Sequence, residues 1–185
     1  EIVSEGSNSL FAGDTGTLPI DVNVYVDYVL HPDLHTWEAS RTYSNRVRLA
    51  GAKISLDGSP QGRTAWLTQP YYKVPEGQPD DYSGYATFAD EKAIDRVSSA
   101  YENNIQVIVH SNGDAAIDQF ILAAREATKR HGQGDRRTTL IHGQTIREDQ
   151  LDAMQELGLC PALFPAHVFY WGDWHRDVTI GPERA

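Results

Sequence analysis

The feature that most constrains this chain is a regular exchange between two hydrophobic periods. Val22 to Leu30 (Val-Asn-Val-Tyr-Val-Asp-Tyr-Val-Leu) is rich in β-branched and aromatic residues and alternates almost perfectly, which predicts a strand. Ala52 to Leu56 alternates in the same way and ends at Asp57-Gly58-Ser59-Pro60, a strong breaker. Ile105 to Val109 is almost wholly apolar, as a strand covered on both faces should be, and Thr138 to Ile141 and Leu159 to Phe164 read as two more of that kind. Between them the period changes to that of a helix. Ala93, Val97, Ala100 and Tyr101 form one apolar stripe, behind Asp90 as an expected N-cap. Ile117, Phe120, Ile121 and Ala124 form a second, stopping at Gly132. Thr145-Ile146-Arg147-Glu148 fits a capping box ahead of Leu151, Met154 and Leu157, and Gly158 ends that helix. Strand, helix, strand in this rhythm predicts βαβ units and a parallel sheet, so the fold class is α/β. Arg63 to Asp90, with Pro70, Pro75, Gly77, Pro79 and Gly84, reads as a long irregular segment of the kind that is functional or mobile.

Composition removes several classes of function. The 185 residues suffice for one domain with a substantial core, so 1–185 is read as a single domain with no internal repeat. A net charge of −10 and a pI near 5.0 argue against a nucleic-acid groove or an anionic membrane surface as partner. No apolar run approaches the roughly 20 residues of a membrane span, and Glu1-Ile2-Val3-Ser4-Glu5 is not the start of a signal peptide. The first residue is not Met, which reads as a processed or cut end. Cys160 is the single cysteine, which excludes an internal disulfide and a thiolate zinc cluster and is compatible with a reducing cytoplasm.

Three expected strands finish in residues able to bind metal or move protons. The second carries Lys53, Ser55 and Asp57 on one face, because side chains alternate with period two. The third ends at His110, followed by Ser111-Asn112-Gly113-Asp114, and the fourth at His142, followed by Gly143-Gln144. The two histidines are about one βα unit apart, so each is expected at the carboxyl end of a neighbouring parallel strand, converging on one side of the sheet to within about 7 Å of each other, where α/β folds place ligands. Two neutral imidazoles would supply half of a tetrahedral zinc shell, although a histidine at a strand end is also a common hydrogen-bonded structural residue. A lysine on the inward face of a short strand needs a carboxylate partner, a shifted pKa or chemical modification. Pattern alone therefore stops at an α/β protein with a candidate metal site.

Longer stretches carry a resemblance. Gly51-Ala52-Lys53-Ile54-Ser55-Leu56-Asp57-Gly58-Ser59-Pro60-Gln61-Gly62-Arg63-Thr64-Ala65 resembles the fourth-strand motif of the amidohydrolase superfamily, in the branch of metal-dependent hydrolases that includes N-substituted formamide deformylases. Val109-His110-Ser111-Asn112-Gly113-Asp114-Ala115-Ala116-Ile117-Asp118 resembles its fifth-strand motif and Leu140-Ile141-His142-Gly143-Gln144-Thr145 its sixth. Phe164-Pro165-Ala166-His167, followed by Tyr170-Trp171-Gly172-Asp173-Trp174-His175, is similar to its seventh strand and loop.

The resemblance implies about strands three to seven of a (β/α)8 TIM-type barrel. It implies a divalent metal, zinc first by ligand type, held by His110, His142 and Lys53, with Lys53 carboxylated in binuclear relatives. His167 falls where the family has a histidine near the substrate, and Trp66, Tyr71, Tyr72, Trp171 and Trp174 fall in loops expected to wall the substrate pocket. Asp57 and Asp114 would orient the ligands, with turn formation and helix capping as equally good explanations. The implied reaction is hydrolysis of a carbon–nitrogen, non-peptide bond of a small amide-type substrate.

The departures shape further expectations. No His-x-His pair of the family's first strand occurs, and the sequence reaches Gly181-Pro182-Glu183-Arg184-Ala185 before an eighth strand with its general-base Asp. Ile141 stands before His142, where many relatives have Glu. The expectation is a fragment that lacks amidase activity alone, holds metal weakly, and either self-associates or belongs to a longer chain. A non-catalytic α/β module that binds a small ligand or partner at the same strand ends is the rival reading.

Overall fold

The computed structural model describes residues 18–33 and 42–185; residues 1–17 and 34–41 of the expected single domain lie outside the described residues. Five strands form one parallel sheet: β1 (Val22–Asp27), β2 (Val47–Ser55), β3 (Gln106–Ser111), β4 (Thr139–His142) and β5 (Cys160–Leu163), adjacent in chain order. Helix α1 (Asp90–Glu102) joins β2 to β3, α2 (Asp114–His131) joins β3 to β4, and α3 (Glu148–Leu157) joins β4 to β5. Chain-order pairing with helical crossovers is the wall of a TIM-type barrel, here open, with β1 and β5 as its edges among the described residues.

The pleat divides the sheet into a covered and an open face. Val24 and Val26 of β1, Ala52 and Ile54 of β2, Val107 and Val109 of β3 and Leu140 of β4 are fully buried, and they pack in one cluster with Ala93, Val97 and Ala100 of α1, Ile117, Phe120 and Ala124 of α2, and Met154 of α3. Burying an aliphatic or aromatic side chain of this size contributes about 1.5–3 kcal/mol, so the helix-covered face carries the stability. The opposite face holds Lys53, Ser55, Ile108 and His110, all only partly buried. The expectation that β3 is covered on both faces is therefore corrected, because Ile108 and His110 on this second face stay partly exposed. In β2 the alternation slips at Ala50, where the register with β1 shifts. Gly51 follows, and a Cβ there would stand 2.0 Å from the Gln106 carbonyl oxygen, so this crossing of β2 and β3 admits glycine alone.

Several boundaries moved for identifiable reasons. β1 ends at Asp27 instead of Leu30, because the Asp27 carboxylate accepts the amides of Val29 (2.8 Å) and Leu30 (3.3 Å) and turns the chain. β2 begins five residues earlier than Ala52, at Val47. Ala89 is the N-cap of α1, and Asp90, its first residue, accepts a bond from Gln119 Nε2 of α2 at 2.8 Å. The capping box moved too: α3 begins at Glu148, where Gln150 Oε1 accepts the Arg147 amide at 3.0 Å, while the Thr145 hydroxyl donates to the Asn112 carbonyl at 2.9 Å. β5 is exposed along its length instead of buried, as befits an edge. Residues 63–89 form neither helix nor strand, as expected.

After β5 the chain makes α4 (Ala166–Trp174), where the resemblance implies a strand and loop, and a π-helical turn, His175–Thr179. No residue of α4 is buried; Phe169 is 85% and Tyr170 74% exposed. Backbone bonds from Tyr72 to Thr179 and from Lys73 to Val178, both 2.9 Å, tie this segment to the irregular loop after β2. Among the described residues no helix is long and apolar enough to cross a membrane.

Candidate functional site

β3 and β4 are paired with Ser111 opposite His142 and His110 opposite Ile141. Regular alternation would therefore send the His110 and His142 rings to opposite faces of the sheet. They meet instead, with centroids 4.7 Å apart at 77°. The cause is local: His142 has φ of 80°, a left-handed conformation rare for a residue with a side chain, and it re-aims the ring toward His110. Such backbone costs on the order of 1–3 kcal/mol and persists where the surroundings over-determine it. Gly143, also left-handed at 55°, donates its amide to the Ser111 carbonyl at 3.1 Å and closes the turn.

The protonation of the pair follows from its neighbours. Nε2 of His110 lies 2.9 Å from the Gly58 carbonyl oxygen, an obligate acceptor, and 3.1 Å from Asn112 Nδ2, so Nε2 carries a proton directed at that carbonyl. Burial, then the charges of His110 and Lys53, push the His142 pKa down to about 4, which leaves a neutral imidazole at neutral pH. Lys53 stands on the same open face, in register with Asp27 of β1. Burial lowers its pKa and the Asp27 carboxylate opposes the shift.

Asp57 is buried and accepts three backbone amides: Asn112 at 2.9 Å, Gly113 at 2.7 Å and Trp66 at 3.0 Å. Burial raises its pKa against the pull of these donors, and its Oδ1 stands 3.6 Å from Nε2 of His110. It thus pins together the ends of β2 and β3 and the loop that carries Trp66. Asp114 sits elsewhere: its carboxylate is taken up by the Thr68 amide (2.9 Å), the Thr68 hydroxyl and Arg147 Nη1 (3.3 Å), with no hydrogen bond to either histidine.

Two side chains to which the sequence reading gave no role complete the arrangement. Asn112 Nδ2 donates to the same Gly58 oxygen at 2.8 Å, and Asn112 Oδ1 accepts from Gln144 Nε2 at 2.9 Å. Gln144 Oε1 in turn accepts from Gln61 Nε2 at 2.7 Å. This amide chain links the loops after β2, β3 and β4. The signal was an Asn and a Gln each two residues beyond a strand-end histidine, and it is too common to single out.

Gln144 also borders a cavity of about 500 Å³, whose wall includes Leu67, Thr68, Asp114, Ile146, His167 and His175. Of the expected pocket residues, His167 lines it. Trp66, Tyr71, Tyr72, Trp171 and Trp174 do not. Trp66 packs against the core, Tyr71 is buried with its hydroxyl on the Ala65 carbonyl at 2.7 Å, and Tyr72, Trp171 and Trp174 are exposed. Among the described residues no three His, Cys, Asp or Glu side chains converge as a metal-binding group. The two imidazoles, one with its tautomer fixed and the other held neutral, fit half of such a shell.

Comparison with known proteins shows the family. The chain is 28% identical over 157 residues to the putative amidohydrolase YtcJ of Bacillus subtilis, covering 84% of this chain and 28% of that protein. It is 25% identical over 142 residues to the protein LONG AFTER FAR-RED 3 of Arabidopsis thaliana, covering 77% of this chain and 23% of that one. It thus spans about a quarter of the length of the curated relatives it matches. Crystal structures of uncharacterized metal-dependent hydrolases from Pyrococcus furiosus and Pyrococcus horikoshii superpose with TM-scores of 0.78 and 0.77 at 27% and 28% identity. Each superposition covers 98% of this chain, and 36% and 35% of the respective hydrolase. The family model described as "Amidohydrolase family" matches residues 12–185, and the chain belongs to that family.

Proposed function

We propose that this chain is part of a metal-dependent hydrolase that cleaves a carbon–nitrogen, non-peptide bond of a small amide-type substrate, in the branch that includes the N-substituted formamide deformylases. The observation that carries the reading is the left-handed backbone at His142, a strain with one evident result: the ring of His142 meets that of His110. His110 through Nδ1, His142, and Lys53 as lysine or carbamate would hold the metal, zinc by ligand type. Bound there, a divalent metal supplies Lewis acidity and an acidified water.

The chain's own residues prepare that position. The Gly58 carbonyl fixes the His110 tautomer, and Asp57 holds the strand ends in register. The Gln61–Gln144–Asn112 chain joins the loops around the pair. The rest of the barrel, including the general-base Asp, would come from outside this sequence, which the quarter-length match to relatives supports. The isolated chain is then inactive and either self-associates or waits for those segments, and its exposed Cys160 thiol suits a reducing cytoplasm.

Zinc titration by calorimetry tests the ligands. The chain should bind zinc weakly, and His110→Ala or His142→Ala should weaken binding at least about tenfold, the effect of losing one metal ligand or its support. Zinc affinity unchanged in both variants would sink the ligand assignment. Full-length protein that carries no metal and hydrolyses no N-acyl amide would favour a ligand-binding module instead.

A further inference from the structure

The cavity bordered by Gln144 contains a second pair of imidazoles, His167 and His175. His167, in the first turn of α4, places Nδ1 3.3 Å from Nε2 of His175, with ring centroids 5.2 Å apart at 77°. His175 is 6% exposed, and its own Nδ1 is buried without a partner. Nε2 of His167 makes no hydrogen bond among the described residues. Both rings line the cavity. Burial lowers the pKa of each, and His167 adds to the effect on His175, so both are neutral at neutral pH.

A neutral pair shares one proton across the contact, which leaves two arrangements. If His167 donates, both rings carry their proton on Nδ1, the intrinsically less favoured tautomer of imidazole. The Nδ1–H of His175 would then be a buried donor with no acceptor, an arrangement folded proteins rarely tolerate. If His175 donates through Nε2–H, both rings are in the favoured tautomer and the buried atom is a bare lone pair. His167 then keeps its proton on Nε2 and offers it at the cavity wall.

The remaining wall narrows what such a donor would meet. Leu67, Ile146, Val168 and Ile180 supply apolar surface. Asp114 is engaged by Thr68 and Arg147; Arg147, also in the wall, is paired with Asp114, Asp118 and Asp149; and Arg184 spends Nε on the Ile180 carbonyl (2.7 Å) and Nη2 on that of Pro70 (2.8 Å). We propose that His175 is a positioning residue that fixes His167 as an Nε2–H donor to the carbonyl oxygen of an uncharged amide held in this cavity. The ligand class rests on the hydrolase reading above; the tautomer assignment does not.

Long-range proton–nitrogen correlation spectra of the metal-free full chain, labelled with ¹⁵N-histidine, read ring protonation directly. At neutral pH both His167 and His175 should carry the proton on Nε2. In His175→Phe, which keeps a ring but removes the donor, His167 should become a mixture of tautomers. Benzamide should shift His167 Nε2 and bind at least about tenfold more tightly than its charged isostere benzoate, the factor expected for one hydrogen bond against a desolvated charge. A proton on Nδ1 of wild-type His167 overturns the positioning role, without requiring the variant to fold. Tighter binding of benzoate overturns the ligand class and points to Arg184 as the reader. Amide hydrolysis by the full-length protein is scored separately, so its absence sinks the hydrolase reading and leaves the tautomer result standing.

Discussion

Replacing Asp57 with Asn isolates the bond pattern that holds the strand ends together. Oδ2 accepts the amides of Gly113 and Trp66, and Oδ1 accepts that of Asn112 while facing Nε2 of His110. In the best orientation of Asp57→Asn the carbonyl takes the Oδ2 position and keeps two bonds. The NH₂ group then faces the Asn112 amide and the protonated Nε2 of His110, donor against donor. One orphaned buried N–H costs about 1–3 kcal/mol, and the two surviving bonds lose charge assistance worth about 1 kcal/mol each. Relief of the desolvation that raises the Asp57 pKa offsets part of this, for a net loss of about 3 kcal/mol. With a urea m-value of about 2 kcal/mol/M, the unfolding midpoint should fall by about 1.5 M with m unchanged. Circular dichroism during urea unfolding measures it, on freshly purified protein because the variant creates an Asn-Gly step. A midpoint within about 0.3 M of wild type, well under the loss of one buried bond, would refute the account of Asp57 as the pin of this edge.

Gly51→Ala should destabilise by more than about 2 kcal/mol and lower the melting temperature, because its Cβ would lie 2.0 Å from a backbone oxygen that cannot turn aside; an unchanged melt would mean that β2 and β3 separate freely. His167 and His175 should both titrate below 6.5 by NMR. Their depressed pKa values stabilise the fold above the unfolded value, and that contribution is lost as pH falls through the folded ones; a midpoint above 6.5 for either would contradict the burial argument. Light scattering should find the 185-residue chain associated, and the double change Phe169→Asp and Tyr170→Asp should shift it toward monomer. A wild-type monomer would show that the edge strands and α4 are tolerated in water.

The sequence by itself determined the order of the five strands and the three crossover helices and the parallel sheet, because a period of two or 3.6 residues is a local property of the chain. It also placed His110 and His142 at neighbouring strand ends, since parallel βα units repeat that position. Their convergence was expected from that repeat, but how the rings come to meet was decided by the tertiary structure. The register sends them to opposite faces, and the sign of φ at His142 depends on how Gly143 closes onto Ser111, a contact across two strands. Asp57 looked equally suited to a turn or to orienting a ligand; two of its three donors come from the end of β3, 55 and 56 residues on, so tertiary structure decided that it pins that end to the Trp66 loop. His175 was one more polar residue in an aromatic run until the π-helical turn buried it against His167. The apolar run at β5 read as interior, yet burial is a property of what packs against a strand, and there the described neighbours run out.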